Sequence, residues 1–329
     1  MTELHFATRL NSFASRPEAA WPGLKGKPGV ADMIKRAATA RGLTHVDLNY
    51  PDHVGAGARE MLKVVTGEGL GINGFAMRYY TEPAFKLGAF TNPDPRVRRA
   101  AIDLTKEGID AALEAKAPLM TIWLGQDGWD YAFQADYAAL WEMLVSALQE
   151  VAAHAPECEI SLEYKPNEPR SYSILPDAAT TLLAIKDAGA PNLGVTLDFA
   201  HSLYADEQPA MVAALIAKQS KLMGVHLNDG YGKRDDGLMV AAAHTLKTLE
   251  LLRQVRRDGY DRPIYFDTFP DQTGLDPVKE CEVNIATVKR LYRVADRLDL
   301  SNALSAAIAA QDSVAAHAIV QDALMGSID

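Results

Sequence analysis

The chain has 329 residues, of which 33 are Lys or Arg and 43 are Asp or Glu, so its formal net charge is −10. Its apolar fraction of 48 % is too high for a disordered protein, and its two cysteines are too few for a disulfide-stabilised scaffold. The acidic surplus also argues against a nucleic-acid partner, because a nucleic-acid-binding surface is normally basic.

Short hydrophobic runs recur along the chain and predict eight strands: Leu4–Thr8, His45–Asn49, Ile72–Met77, Leu119–Leu124, Glu159–Tyr164, Gly194–Phe199, Gly224–Asn228 and Ile264–Thr268. Helical spacing of apolar residues predicts helices between later strands: Pro93–Ala115, Gln134–Ala153, Pro176–Ala188, Gln208–Lys221, Ala241–Arg257 and Pro277–Leu300. Strands that alternate with helices form a parallel sheet, and a count of eight predicts a (β/α)8 TIM barrel, with a doubly wound open sheet as the alternative. We place the barrel in residues 1–296 and expect residues 297–329 to form a short C-terminal helical extension.

Titratable residues lie at or near the carboxyl ends of four successive predicted strands, the end of a TIM barrel where chemistry occurs. They are Glu163, Asp198, His226 and Asp267. Three carboxylates in one place repel one another unless a cation compensates them. An oxygen-rich ligand set with one imidazole suits Mg²⁺ or Mn²⁺. The pattern therefore predicts a divalent metal site, and the lack of a Gly-rich nucleotide-binding loop predicts no organic cofactor.

A second metal site is predicted beside the first. Asp235 and Asp236 lie on the loop that leaves the seventh strand, and His201 follows the sixth strand. Taken alone, each candidate ligand is also explained as a helix N-cap or an ion-pair partner. The metal prediction depends on their joint pattern over successive strands.

Two further residues are candidates for proton or charge chemistry. Lys165 shares a strand face with Glu163, so its ammonium could polarise a carbonyl or stabilise a developing alkoxide. The alternative for Lys165 is a structural ion pair with Glu163 or Glu168. His53 follows the second strand, a position that suits a proton shuttle at a sugar hydroxyl, although a surface-loop histidine is an equal alternative.

Four residues are candidates for substrate binding. Trp123 ends the fourth strand, and Phe85 and Phe90 lie on the loop after the third. Aromatic walls of this kind bind sugar faces, but they also pack loops. Asn228 shares a strand face with His226 and completes the set.

A resemblance to a known family supports this interpretation. The segment Glu163–Arg170, EYKPNEPR, closely resembles the xylose isomerase motif E-x-K-P-N-E-P-R. Phe85–Thr91 with Arg96–Ala100 resembles that family's third-strand loop and helix, and Trp123–Gly128 resembles its strand-four tryptophan motif. The resemblance runs in register from about Gly71 to Asp267. It implies an aldose–ketose isomerase with two divalent ions on a (β/α)8 barrel, usually a tetramer.

The resemblance also implies individual roles. Glu163 and Asp267 would be ligands of the first metal, and Lys165 would hold the carbonyl end of the open-chain sugar. Asp198 and His201 stand where xylose isomerases have a glutamate followed three residues later by histidine, and His226 stands where they have an aspartate. This ligand set is more similar to that of the rhamnose isomerase branch. The family's second-metal aspartates correspond to Asp236, and after it Asp235, so Asp236 is also assigned to the catalytic residues.

We therefore predict a metal-dependent aldose–ketose isomerase that transfers hydrogen between C1 and C2 of a small unphosphorylated sugar: a pentose, a deoxyhexose or a branched pentose such as apiose. One or two Mn²⁺ or Mg²⁺ ions would bind per subunit, and Co²⁺ could substitute. A metal-dependent ketose 3-epimerase and a catalytically altered sugar-binding barrel are the alternatives. Since no secretory leader or membrane-spanning run is visible, we expect a cytoplasmic protein without a membrane partner, assembled as a homodimer or homotetramer.

Overall fold

Eight parallel strands form the barrel in the computed structural model, which describes residues 4–55 and 57–326. In chain order they are β1 (Phe6–Thr8), β2 (His45–Tyr50), β3 (Gly71–Met77), β4 (Leu119–Trp123), β5 (Glu159–Glu163), β6 (Leu193–Asp198), β7 (Leu222–Leu227) and β8 (Ile264–Phe266). Each strand from β2 onward pairs with the next one, and β8 pairs with β1. The Thr44 amide donates to the Phe6 carbonyl at 3.1 Å, and Arg9 forms a bridge with Asp47, so β1 also meets β2. The predicted TIM barrel is confirmed.

The helices lie between the strands and after the last one. They cover Pro17–Ala20, Val30–Ala38, Ala58–Gly67, Pro95–Glu114, Tyr137–His154, Ala178–Ala188, Phe199–Tyr204, Pro209–Gln219, Thr245–Arg257, Pro270–Thr273, Pro277–Asp299, Asn302–Ala309 and Ser313–Met325. Short 3₁₀ helices cover Leu10–Ala14 and Pro83–Leu87. None of the helices in the described part of the chain is long and apolar enough to cross a membrane.

Helix caps explain where the predicted boundaries shift. The long helix after β3 begins at Pro95 rather than Pro93, because the Asp94 side chain accepts a hydrogen bond from the Arg96 amide at 2.9 Å. Strand β6 ends at Asp198 because that carboxylate caps the next helix, accepting from the His201 amide at 2.9 Å. A strand that passes directly into a helix cap places Asp198 and His201 next to each other at the barrel mouth.

The strands are buried on both faces because helices cover the sheet outside and side chains fill it inside. All six residues of β6 are buried. Gly224 on β7 permits this packing, since a Cβ there would lie 2.5 Å from Thr196 Oγ1. The barrel interior is thus a packed core, and polar side chains collect at its carboxyl end.

The C-terminal part of the chain is helical. The helix Pro277–Asp299 runs past the expected domain boundary at residue 297. Two shorter helices, Asn302–Ala309 and Ser313–Met325, come after it, and Leu304 on the first of them is buried. Residues 327–329 of the expected extension lie outside the described residues.

Candidate active site

Four side chains from β5 to β8 meet at the carboxyl end of the barrel. Glu163, Asp198, His226 and Asp267 each offer one ligand atom, and these atoms all lie within 4.8 Å of one another. Glu163 and Asp198 end their strands, His226 is the penultimate residue of β7, and Asp267 directly follows β8. The structure therefore brings together the four candidate ligands that the strand-end pattern predicted.

The electrostatics of this cluster favour a cation. Burial raises the pKa of Asp198 to about 7 and also raises the pKa of Asp267. Burial alone would lower the pKa of His226, but Glu163 and the neighbouring aspartates raise it to about 9. The His226 Nδ1 lies 3.2 Å from Glu163 Oε1. Without a metal the cluster must hold protons to limit its negative charge, so its donor set and charge fit a divalent ion.

Asn228 holds two of these ligands in place. Its Nδ2 donates to both carboxylate oxygens of Asp198, at 3.2 and 3.0 Å, and to the Asp267 carbonyl at 3.1 Å. Its Oδ1 accepts from the Ala200 amide at 2.9 Å, and the side chain is fully buried. Its predicted role in substrate binding is therefore corrected to that of a positioning residue, because every polar atom of the amide is used within the protein.

His201 and Asp235 lie beside the cluster. The His201 Nδ1 donates to the Tyr164 carbonyl at 2.9 Å, and its Nε2 lies 3.2 Å from Asp235 Oδ2. Although burial opposes it, Asp198 and Asp235 raise the pKa of His201 to about 10. Asp235 Oδ1 is buried without a hydrogen-bond partner among the described residues, so one oxygen of this carboxylate is free to bind a ligand.

Both carboxylate oxygens of Asp236 accept hydrogen bonds within its own loop. Its Oδ1 accepts from Arg234 Nε at 2.8 Å, and its Oδ2 accepts from the Tyr231 amide at 2.9 Å. Both oxygens therefore stabilise the loop after β7. The sequence assigned Asp236 to the catalytic residues and to the second metal ahead of Asp235; the structure reverses that order.

Lys165 is buried at the barrel mouth. Its Nζ is 3.0 Å from Glu168 Oε2, 3.2 Å from Asp235 Oδ2 and 5.4 Å from the centroid of the Trp123 ring. Burial lowers the pKa of Lys165, but Asp235 and Glu168 more than offset this and raise it. The ammonium thus stays charged, with two carboxylates holding it over the indole.

A cavity of about 310 Å³ opens above these residues. It is lined by Arg9, Arg78, Tyr80, Trp123, Glu163, Lys165, Glu168, His201, Asp235, Asp267, Phe269 and Gln272. Trp123 therefore lines the cavity, and its role in substrate binding stays a prediction. Phe85 and Phe90 are buried in the core, with ring centroids 5.9 and 5.7 Å from that of Tyr79, and neither is among the lining residues of the described chain. Their assignment to substrate binding is corrected to loop packing.

His53 is buried close to this cavity rather than in its lining. Its Nδ1 accepts a hydrogen bond from the Asn49 amide at 3.0 Å, which places the proton of the neutral ring on Nε2. Burial lowers the pKa of His53 to about 4, and the charges of Arg78 and Arg9 act in the same direction. The imidazole is therefore neutral at physiological pH.

Two arginines that line the cavity were not predicted from the sequence. Arg9 directly follows β1 and Arg78 directly follows β3. Both obey the strand-end rule that identified the carboxylates. Applying that rule to charged residues of either sign would have identified them.

A protein-family model described as Xylose isomerase-like TIM barrel matches residues 31–291. The chain belongs to this family. The resemblance to the xylose isomerase family is thereby confirmed. The xylose isomerase of Thermus thermophilus is 29 % identical over 215 residues, which are 64 % of this chain and 56 % of that protein. The Thermus caldophilus xylose isomerase is 28 % identical over 194 residues, 57 % and 50 % of the two chains.

This family member spans about half the length of those curated relatives. Solved structures with the same fold include an L-ribulose 3-epimerase, with a TM-score of 0.72 and 16 % identity over 91 % of this chain and 99 % of that one. Another is the D-allulose 3-epimerase from Methylomonas sp. in complex with D-allulose, with a TM-score of 0.66 and 14 % identity over 89 % and 98 %. Similarity at this level of identity establishes the shared fold.

Proposed function

We propose that this protein is a divalent-metal-dependent aldose–ketose isomerase acting on a small unphosphorylated sugar: a pentose, a deoxyhexose or a branched pentose. The observation that supports the proposal is the placement of Lys165 in the same cavity as Glu163 and Asp267, two members of the ligand cluster. The reaction moves one hydrogen between C1 and C2 of the open-chain sugar.

Glu163, Asp198, His226 and Asp267 are proposed to hold the first Mn²⁺ or Mg²⁺, which Co²⁺ could replace. A bound ion supplies Lewis acidity that offsets negative charge on the substrate's oxygens. His201 and Asp235 are proposed to contribute to a second site. Asn228 keeps the Asp198 carboxylate oriented toward the cluster.

Lys165 is proposed to bind the carbonyl oxygen of the open-chain sugar. Its ammonium donates to that oxygen and stabilises the negative charge that grows there as hydrogen moves between the two carbons. Glu168 and Asp235 fix the ammonium over Trp123, so little reorganisation is needed when the substrate binds. His53, neutral with its proton on Nε2, is proposed to move a proton during ring opening.

A ketose 3-epimerase is the second candidate, favoured by the fold similarity to L-ribulose 3-epimerase. In that reaction Glu163 and Asp267 would exchange a proton at C3. Lys165 favours the isomerase, because its ammonium provides an electrophile for a carbonyl oxygen. The products distinguish the two reactions, since an isomerase interconverts an aldose and a ketose whereas an epimerase interconverts two ketoses.

Replacing Lys165 tests the proposal. We expect Lys165→Met to lower kcat by about 100-fold or more, because it removes charge stabilisation at the reacting oxygen. Titration calorimetry with Mn²⁺ should still show binding close to that of the wild type. Lys218→Met, on the exposed face of the helix Pro209–Gln219, is the matched control. Retention of aldose–ketose turnover in Lys165→Met would remove the lysine from the mechanism.

A further inference from the structure

Arg78 presents an unpaired positive charge to the active-site cavity. Its guanidinium has no ion-pair partner within 4.0 Å among the described carboxylates, whereas Lys165 and Arg9 both have one. Its Nε is buried and has no hydrogen-bond partner among the described atoms. A buried donor without a partner is unfavourable, so this arrangement points to an acceptor that arrives with a ligand.

The other cations of the cavity are already neutralised. Arg9 Nη1 lies 2.7 Å from Asp271 Oδ1, and Lys165 contacts both Glu168 and Asp235. Burial acts to raise the pKa of Asp47 and Glu163, and Arg78 opposes this only through longer-range charge. Neither carboxylate forms an ion pair with Arg78 within 4.0 Å among the described residues. Arg78 is thus the cation of the cavity that is left to bind substrate.

We infer that the substrate carries a carboxylate, which Arg78 binds, so that the substrate class is a sugar acid rather than a neutral sugar. This inference rests on the proposed aldose–ketose isomerisation, and it replaces the neutral sugars proposed above with sugar acids as the substrate. The planar guanidinium matches a carboxylate through two parallel hydrogen bonds, and the single unneutralised charge matches a monoanion. A phosphate dianion would be repelled by the carboxylates that share the cavity: Glu163, Glu168, Asp235 and Asp267.

The aromatic pair Tyr80 and Trp123 connects the two ends of such a substrate. The Arg78 guanidinium lies 5.7 Å from the Tyr80 ring centroid, and the Lys165 Nζ lies 5.4 Å from that of Trp123. The two rings meet edge to face at 5.5 Å. A sugar acid held by Lys165 at its carbonyl end would extend along these rings and reach Arg78 with its carboxylate. The 310 Å³ cavity accommodates a molecule of that size.

Substrate pairs that differ only in the carboxylate provide the test. The Mn²⁺-loaded protein is assayed with D-glucuronate against D-glucose and with D-galacturonate against D-galactose. We expect kcat/KM to be about 100-fold higher for the acids, because a site built around a charged hydrogen bond rejects the analogue that lacks it. Arg78→Gln should remove most of that preference through KM, and Arg78→Lys should retain part of it. Arg290→Gln, an exposed substitution with the same charge change, should retain all of it.

A binding measurement separates this inference from the isomerase proposal. D-gluconate and D-glucitol have neither an aldehyde nor a keto group, so they cannot be isomerised. Calorimetry compares their affinities for the wild type, Arg78→Gln and Arg78→Lys. Tighter binding of D-gluconate that depends on Arg78 supports the inference even if no isomerase activity is found, in which case the proposed function alone fails. The inference is overturned if neutral sugars are preferred, or if Arg78→Gln weakens acid and neutral ligands equally while remaining folded by circular dichroism.

Discussion

At the residue scale, the candidate metal ligands could be identified from the sequence, but the contacts of the residues around them could not. The end of a hydrophobic run marks the barrel mouth, so Glu163 and Asp198 could be identified from local pattern alone. The choice between Asp235 and Asp236 could not, because it depends on hydrogen bonds from Tyr231 and Arg234 that turn one carboxylate into the loop. The burial of Phe85 likewise depends on tertiary packing, which includes its edge-to-face contact with Tyr79.

A pair of substitutions tests the reversed order of the two aspartates. We expect Asp235→Asn to lower kcat by at least about tenfold more than Asp236→Asn, because Asp235 contacts Lys165 and His201. Asp236→Asn should mainly loosen its loop, which limited proteolysis would detect. Steady-state kinetics on both variants provide the measurement, and a larger loss in Asp236→Asn would restore the original assignment.

The pKa of His226 predicts how metal affinity depends on pH. In the metal-free protein that pKa is about 9, so the imidazole is protonated below pH 9 and must lose its proton to become a ligand. Affinity for Mn²⁺ should therefore rise by about tenfold per pH unit for each proton displaced as the pH increases toward 9. Calorimetry in buffers of different ionisation enthalpy would measure the proton release. An affinity for Mn²⁺ that is constant from pH 6 to 9 would contradict this prediction.

At the scale of elements, the strands could be predicted more completely than the helices. The eight runs lie close to the observed strands because period and length are local properties. The helices Val30–Ala38 and Ala58–Gly67 were not predicted, since both are shorter than the window over which helical spacing is recognised. The conformations of the loops after β3 and β4 could not be predicted from the sequence either. They depend on hydrogen bonds that Asp127 accepts from residues that are far away in the chain.

The contacts of Asp127 predict that its substitution lowers the stability of the fold without removing a residue proposed for catalysis. This fully buried carboxylate accepts hydrogen bonds from the Ala89 amide at 3.0 Å, the Thr91 amide at 2.7 Å and the Thr91 hydroxyl at 2.8 Å. It therefore ties the loop after β4 to the loop after β3. Asp127→Ala should lower the free energy of unfolding by about 3 kcal/mol or more, because the donors stay buried without partners.

Urea denaturation measures that effect. Asp103→Ala, on the exposed side of the helix Pro95–Glu114, is the control and should change the free energy of unfolding by less than about 0.5 kcal/mol. If Asp127→Ala and the wild type unfold at the same urea concentration, Asp127 does not stabilise the contact between the two loops.

At the scale of the whole molecule, the count of eight alternating units was sufficient to predict the barrel, because parallel strands and crossover helices leave few ways to bury both faces of a sheet. The assembly into a homodimer or homotetramer stays a prediction. Part of the net charge of −10 is concentrated at the barrel mouth. Part of it is the cluster of Glu163, Asp198 and Asp267, which a divalent ion would offset, and Arg78 adds positive charge to the same mouth.

Removal of the metal tests the central claim most directly. The protein is dialysed against a chelator, and ¹³C NMR then follows a panel of sugars and sugar acids labelled at C1. The account predicts no aldose–ketose conversion in the metal-free protein and recovery of the ketose signal when Mn²⁺ or Mg²⁺ is returned. Conversion at an unchanged rate without metal, or the appearance of C3 epimers alone after metal is returned, would contradict it.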